Sequence, residues 1–132
     1  MLFTNALIFA LAAVTGTQAL EFPNPTVGCH DDMLVDVEEA RRAADQLAST
    51  CDSGTPVLKD SKMHSAYGSA MAFVCNWGKD SQGCSHQAIN EAIRLVNAEC
   101  GENVGGYVQI DAWAKQYGRL STSSNPCPNL NG

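Results

Sequence analysis

The clearest pattern along the chain is an apolar residue at every third or fourth position in two stretches, which predicts two amphipathic helices. The first is predicted over residues 32–49, with Asp31 or Asp32 as its N-cap. Its apolar positions are Leu34, Val37, Ala40, Ala44, Leu47 and Ala48. The second is predicted over residues 85–99, with Ser85 as N-cap and Gly101 as the C-terminal stop. Its apolar positions are Ala88, Ile89, Ala92, Ile93 and Val96.

Apolar residues at alternate positions predict strands between and after the helices. The strongest such segment covers residues 67–77, and residues 57–63 form a weaker one. A third strand is predicted over residues 107–113, with Val108, Ile110 and Ala112 on its core-facing side. The predicted order helix, strand, strand, helix, strand indicates an α+β fold, in which two helices pack on one face of a small antiparallel sheet.

The two ends of the chain differ from this central part. Residues 1–19 carry no charged side chain, have an apolar run from Ala6 to Val14, and end in Thr17-Gln18-Ala19. This pattern predicts a signal peptide over residues 1–19 and a single secreted domain over residues 20–132. No second apolar run follows, so we expect no membrane anchor and an extracellular location. The segments 20–28 and 121–132 are rich in Pro, Ser or Asn and are predicted to be extended.

Six cysteines follow the predicted signal peptide, at positions Cys29, Cys51, Cys75, Cys84, Cys100 and Cys127. An even number of cysteines in a small exported domain predicts a framework of three disulfides. The chain has no Cys-x-x-Cys, and His30, His64 and His86 do not have the spacing of a zinc finger. We therefore expect neither a metal nor another cofactor.

Helix geometry restricts how the cysteines can pair. Cys84 and Cys100 flank the second helix and are separated by about 24 Å at 1.5 Å per residue, whereas a disulfide requires Cα atoms within about 7 Å. Cys29 and Cys51 flank the first helix and are excluded in the same way. If successive elements run in opposite directions, Cys29 and Cys100 lie at the same end of the sheet. The pair Cys29–Cys100 is therefore favoured, while the pairing of the other four cysteines stays open.

The net charge of −6 restricts the possible partners. The predicted signal peptide contributes none of it, so the secreted domain is acidic. Nucleic acids and anionic membranes attract basic surfaces, so neither is expected as a partner. An extracellular or host protein or a glycan is the expected target, and the oligomeric state stays open.

The strongest candidates for binding are aromatic. Tyr107 and Trp113 alternate with the predicted core-facing residues of the third strand, and together with Tyr117 they are predicted to form a surface that stacks on a sugar or contacts a protein. In the alternative interpretation these rings cover the sheet, or the tail that contains Pro126 and Pro128.

A catalytic set is harder to assemble. Small secreted ribonucleases use His, Glu and Arg, and the candidates for such a set in this chain are His86, Glu91, Arg94 and Arg119. Around the second helix, Glu91 and Arg94 lie about 140° and 80° from His86, so these three side chains do not converge. We predict no catalytic residue, and a small secreted hydrolase such as a ribonuclease stays as an alternative.

Several short motifs resemble those of small, secreted, cysteine-rich fungal proteins classed as candidate effectors. They are Phe73-Val-Cys-Asn-Trp77, Cys84 with Ala88-Ile-Asn-Glu-Ala92, Cys100-Gly101, Gly106-Tyr-Val108, Trp113 and Tyr117-Gly-Arg119. The predicted order of elements is similar to that of fungal killer toxins and of extracellular virulence proteins with the same α/β sandwich. The resemblance implies a non-enzymatic effector or elicitor-like protein, with a killer-toxin-like antimicrobial protein as an alternative.

Overall fold

A computed structural model describes residues 20–130 and contains five strands and two helices. The elements in chain order are β1 (Thr26–Leu34), α1 (Val37–Asp52), β2 (Ser61–Tyr67), β3 (Ala70–Asn76), α2 (His86–Cys100), β4 (Val104–Ile110), one 3-10 turn (Asp111–Trp113) and β5 (Lys115–Ser121). The predicted α+β class, with two helices on one face of an antiparallel sheet and three disulfides, is confirmed. The signal peptide predicted for residues 1–19 lies outside the described residues.

The strands pair in the order β1-β4-β5-β3-β2, and every neighbouring pair is antiparallel. Helix α1 connects the two edge strands, β1 and β2. Helix α2 connects β3 to β4, and β5 then returns between those two strands. The last strand of the chain therefore lies at the centre of the sheet.

The start of the first helix was predicted wrongly. Residues 32–34, assigned to its beginning, belong to β1, an edge strand that was not predicted. The Asp36 carboxylate, rather than Asp31 or Asp32, caps α1 by accepting a hydrogen bond of 2.9 Å from the Glu39 backbone N–H. The apolar residues before Asp36 belong to the strand or its connection, where Val35 donates a backbone hydrogen bond to Asn103.

The hairpin between the helices also differs from the prediction. The segment predicted as one strand over residues 67–77 is interrupted at Gly68, whose positive φ of 60° allows the chain to reverse. Tyr67 therefore ends β2, and β3 begins at Ala70. The weaker strand predicted over residues 57–63 lies further along the chain, and Val57 forms only an isolated bridge with Gln82.

In the second half of the chain, the prediction of one helix is confirmed, one strand is displaced from its predicted position, and another strand was not predicted. Helix α2 begins after Ser85, whose side chain accepts from Ala88 N–H, and it ends at Gly101, as predicted. The strand predicted over residues 107–113 covers residues 104–110 instead, and Ala112 is exposed rather than in the core. Strand β5 was not predicted, because its buried positions include Lys115 and Arg119, which do not follow an apolar alternation.

Each face of the sheet carries its own apolar cluster. On the helix face, Ala72, Val74, Val108, Ile110 and Tyr117 pack with the helices and with Phe22. On the opposite face, Met71, Phe73, Cys75 and Leu120 form a smaller cluster that contacts Tyr107 and Leu130. Neither helix in residues 20–130 has the length and apolar character required to cross a bilayer.

Three disulfides join distant parts of this fold. Cys29–Cys100 links β1 to the end of α2, with a Cα separation of 5.6 Å, and is the pair that helix geometry and chain direction favoured. Cys51–Cys84 links the end of α1 to the segment before α2. Cys75–Cys127 links β3 to the C-terminal segment.

Candidate functional site

The C-terminal segment after β5, residues 122–130, crosses the sheet face that the helices leave uncovered, and we call it the strap. The disulfide Cys75–Cys127 attaches its middle to β3. The ammonium group of Lys62 on β2 donates to three oxygens of the strap: Asn125 Oδ1 at 2.6 Å, Pro126 O at 2.7 Å and Cys127 O at 3.2 Å. The strap is thus fixed to two neighbouring strands.

A depression of about 360 Å³ lies between the strap and one end of the sheet, and we call it the amide pocket. The sheet side of the pocket is formed by Trp77, Gln109, Asp111 and Gln116. The strap side is formed by Cys127, Pro128, Asn129 and Leu130. One aromatic ring, several amides and one carboxylate therefore meet in a single concave surface.

Hydrogen bonds join the polar side chains of the amide pocket in a row. The Gln116 amide donates to Gln109 Oε1 at 3.1 Å, and the Gln109 amide donates to Asp111 Oδ1 at 2.9 Å. Within the part of the chain that the structure describes, each glutamine uses one of its two amide hydrogens in this row. The row holds the side chains in place and leaves donors and acceptors for a ligand.

Trp77 takes its position from β3. Side chains alternate along a strand, so Trp77 continues the face that carries Phe73 and Cys75. Its backbone N–H donates to Ala114 O at 3.0 Å, which extends the pairing with β5 by one residue. Trp77 is 37% exposed, which is unusual because tryptophan is highly buried on average.

A second depression, of about 380 Å³, lies on the same sheet face beyond Gln116, and we call it the tyrosine pocket. Tyr107 is half-buried there, and its ring centroid lies 5.7 Å from that of His30. Gln116, Cys127 and Pro128 line both depressions. The two pockets are therefore neighbours along one side of the strap.

The three aromatic residues predicted to form one binding surface are not brought together. Tyr107 lies on the strap face, whereas Tyr117 is 1% exposed on the helix face. Tyr117 stacks on Phe22 with a centroid distance of 5.9 Å, and Trp113 meets the same ring edge-on at 5.5 Å. The stacking role of Tyr107 on the strap face stays a prediction, while Tyr117 and Trp113 contribute to the core.

Trp77 was assigned to a strand but not to a binding surface. The sequence contained one signal for this role. Trp77 is the last apolar residue of an alternating segment, and Gly78 follows it, so its large ring lies at the end of a strand, where fewer neighbours can cover it. Gln109, Asp111 and Gln116 had no comparable signal. Their proximity depends on the register that pairs Gln109 with Gln116 across β4 and β5.

The candidates for acid/base catalysis are engaged elsewhere. His86 Nδ1 lies 3.4 Å from Asp52, and Arg94 pairs with Glu91 at 2.7 Å, which lowers the pKa of that carboxyl. Arg119 is buried, and burial lowers its pKa. Its guanidinium donates to Asn97 Oδ1, to Gly101 O at the end of α2 and to Val104 O on β4, so it fastens that helix to the sheet.

Arg94 and Arg119 line a common groove between the helices, but His86 and Glu91 do not line it. Over residues 20–130, no cluster of three or more His, Cys, Asp or Glu side chains has a metal-binding arrangement. Comparisons of the chain with family models, with curated proteins and with solved structures found no match.

Proposed function

We propose that the chain is a secreted, non-enzymatic binding protein of the effector or elicitor-like kind, and that it recognises an extracellular or host target through the amide pocket. One observation carries the proposal: an exposed indole lies beside a hydrogen-bonded row of two amides and a carboxylate. Rings of this kind give binding energy through contact area, and fixed polar groups give orientation and specificity.

The construction of the site supports a role in binding. The two glutamines of the polar row lie on the interior strands β4 and β5, and the opposite wall is fixed by a disulfide and by Lys62. A ligand therefore meets side chains that are already ordered, which reduces the entropy lost on association. The three disulfides fit an extracellular protein, where such bonds persist.

The proposal is tested by capture on the immobilised, oxidised secreted domain. Extracellular fluid from candidate hosts is passed over the wild-type protein, Trp77→Ala and Tyr67→Ala. Tyr67 is the matched control, because the residue is 39% exposed, similar to the 37% of Trp77, but it lies away from the strap face at the end of an edge strand. We expect a retained component that is lost with Trp77→Ala and kept with Tyr67→Ala.

Two results would contradict this function. Equal capture by all three proteins would exclude the amide pocket as the binding site. The second result is turnover of RNA or of cell-wall glycans by the purified wild-type protein. If a folded variant lacks this turnover, the chain is an enzyme. Thermal unfolding of each variant confirms that it is folded before capture is compared.

A further inference from the structure

We propose that the ligand is a neutral oligosaccharide that extends from the amide pocket to the tyrosine pocket, with Trp77 and Tyr107 as two separate stacking contacts. This inference rests on the proposed function, because it names the ligand class of the same site. It is carried by the chemistry of the lining residues and by the register of the central strands.

The lining of the two pockets favours a ligand that is rich in hydroxyl groups and carries no charge. No lysine or arginine lines either pocket within the described residues, and Asp111 places a carboxylate in the first. The net charge of −6 also opposes the approach of an anion. Amides and a carboxylate can donate to and accept from sugar hydroxyls, and an indole face can cover the apolar face of a sugar ring.

The register of the sheet gives the distance that the ligand spans. Tyr107 pairs with Gly118, which pairs with Phe73, whereas Trp77 follows four residues after Phe73 on a strand two positions away from β4. With about 3.4 Å per residue and about 4.8 Å between strands, the Cα atoms of Trp77 and Tyr107 are about 17 Å apart. A single sugar ring is too short for this distance, so both contacts are occupied only by a longer chain.

The amide pocket and the tyrosine pocket are connected, because three residues line both of them. Gln116 lies between the two aromatic residues and lines both pockets, as do Cys127 and Pro128 of the strap. A ligand that follows this side of the strap thus meets an aromatic ring, an amide and a second aromatic ring in succession. This alternation suits a chain of sugar rings linked at regular intervals.

An extended peptide fits this location less well. Peptides that bind sheets in extended form usually add to an edge strand, where backbone groups are unpaired. The path from Trp77 to Tyr107 crosses β3, β5 and β4, whose backbone groups pair with strands on both sides. A peptide in this position has only side-chain contacts to the protein.

The test is a titration of the oxidised domain with neutral oligosaccharides of increasing length. The probes are β-linked glucose and N-acetylglucosamine series and α-linked mannose, from single sugars to hexasaccharides, with polygalacturonate as the acidic comparison. We expect affinity for at least one neutral series to rise with length, and Trp77→Ala to lower the affinity for the longest member about tenfold or more.

Tyr107→Leu separates the two contacts. Tyr107 packs against the strap-face cluster, so leucine keeps apolar volume while it removes the aromatic face. We expect this variant to keep the wild-type affinity for the shortest ligand and to lose the gain that chain length brings. Gln116→Ala, at a half-buried residue between the rings, is a second variant that lowers the affinity for long ligands. Tyr67→Ala should bind every ligand as the wild type does.

The outcomes distinguish the two proposals. Tighter binding of polygalacturonate than of the neutral series would show that the ligand is not neutral. Affinity that does not rise with chain length would show that the ligand does not span both pockets. Either result would overturn the assignment of a neutral oligosaccharide. If no glycan binds but a host protein is captured in a manner that depends on Trp77, this inference is wrong and the proposed function stands. If nothing is captured in that manner and no glycan binds, both fail.

Discussion

Individual buried polar residues hold the loops of this small protein in place. Asn76 is fully buried, and its amide donates to Val57 O at 3.0 Å and to Asp80 O at 2.9 Å, while its oxygen accepts from Gly78 N–H at 2.8 Å. One side chain thus holds the segments around Val57 and Asp80 together, in addition to the isolated bridge between Val57 and Gln82. An unsatisfied buried amide is costly, so such a residue specifies a single loop arrangement.

Lys115 and Tyr117 form a second buried polar pair, on the helix face. The Lys115 ammonium donates to Gly83 O at 2.5 Å and lies 5.8 Å from the Tyr117 ring centroid. Burial lowers the pKa of Lys115 and raises the pKa of Tyr117 to about 12. In both cases the neutral form is favoured in the folded state.

We predict that Tyr117 makes the protein less stable at alkaline pH. Between about pH 10 and pH 12 the folded state retains the Tyr117 proton that the unfolded state has lost, so the free energy of unfolding falls as pH rises. The slope for one proton is about 1.4 kcal/mol per pH unit. The lowered pKa of Lys115 acts in the opposite direction, below its usual value of 10.5.

Urea unfolding across this pH range measures the effect. Tyr117→Phe should have a smaller fall in stability than the wild type, since only the tyrosine hydroxyl titrates. Tyr67→Phe, a change at an exposed ring, should keep the wild-type pH dependence. Identical slopes for the wild type and Tyr117→Phe would contradict the prediction.

The helices are set by local signals at their ends as much as by their apolar stripes. Both N-caps are side chains that accept from the backbone N–H three residues on: Asp36 in α1 and Ser85 in α2. Such caps satisfy donors that have no partner inside the helix. Since β1 continues to Leu34, only Asp36 is correctly placed to begin α1.

We predict that Asp36→Ala lowers the free energy of unfolding by about 1 kcal/mol, because the Glu39 N–H loses its acceptor. Asp32→Ala is the control at an exposed position in the irregular part of the β1–β4 pairing, and it should change stability by less than about 0.5 kcal/mol. Chemical denaturation of both variants measures the difference. A larger loss from Asp32→Ala would favour the earlier helix start.

At the scale of the whole molecule, one sheet is covered on both faces by different means. The helices cover one face and are joined to each other by Cys51–Cys84, whereas the strap covers the other through Cys75–Cys127. The strap contributes few apolar contacts beyond Leu130, so its position depends on the disulfide and on Lys62. One wall of the proposed binding site therefore depends on one disulfide together with the hydrogen bonds of Lys62.

We predict that Cys75→Ala/Cys127→Ala abolishes ligand capture, because the strap wall of the amide pocket is released. The closed loop has a sequence separation of 52 residues, so its loss should lower stability by about 4 kcal/mol in the chain-entropy model. Hydrogen exchange of residues 122–130 and capture on the immobilised variant measure the two effects.

The matched control is Cys51→Ala/Cys84→Ala. Its loop has a sequence separation of 33 residues, so the expected loss of stability is also about 4 kcal/mol, but its cysteines lie on the helix side of the sheet. This variant should keep ligand capture at a temperature where both variants are folded. If both variants lose capture, the cause is general destabilisation, and the specific role of Cys75–Cys127 is contradicted.

The sequence alone determined the α+β class, the presence of three disulfides and helix α2, whereas it left the pairing of four of the cysteines open. Its signals are local: an apolar stripe with Ser85 and Gly101 at its ends, and an even number of cysteines. The favoured pair Cys29–Cys100 followed from the alternating direction of successive elements, after the known length of a helix had excluded the pairs at its two ends. Because helix length is local information, those pairs could be excluded before any tertiary structure was known.

Only the tertiary structure decided the positions of β1 and β5, the path of the strap and the composition of the amide pocket. Strand β5 buries Lys115 and Arg119, and these side chains are acceptable there only because Gly83 and the end of α2 supply acceptors. Gln109 and Gln116 become neighbours only through the register of β4 and β5. These two residues are close in sequence, but their register is set by the turn at Asp111–Trp113 and by packing across the sheet, and the apolar pattern did not reveal that turn.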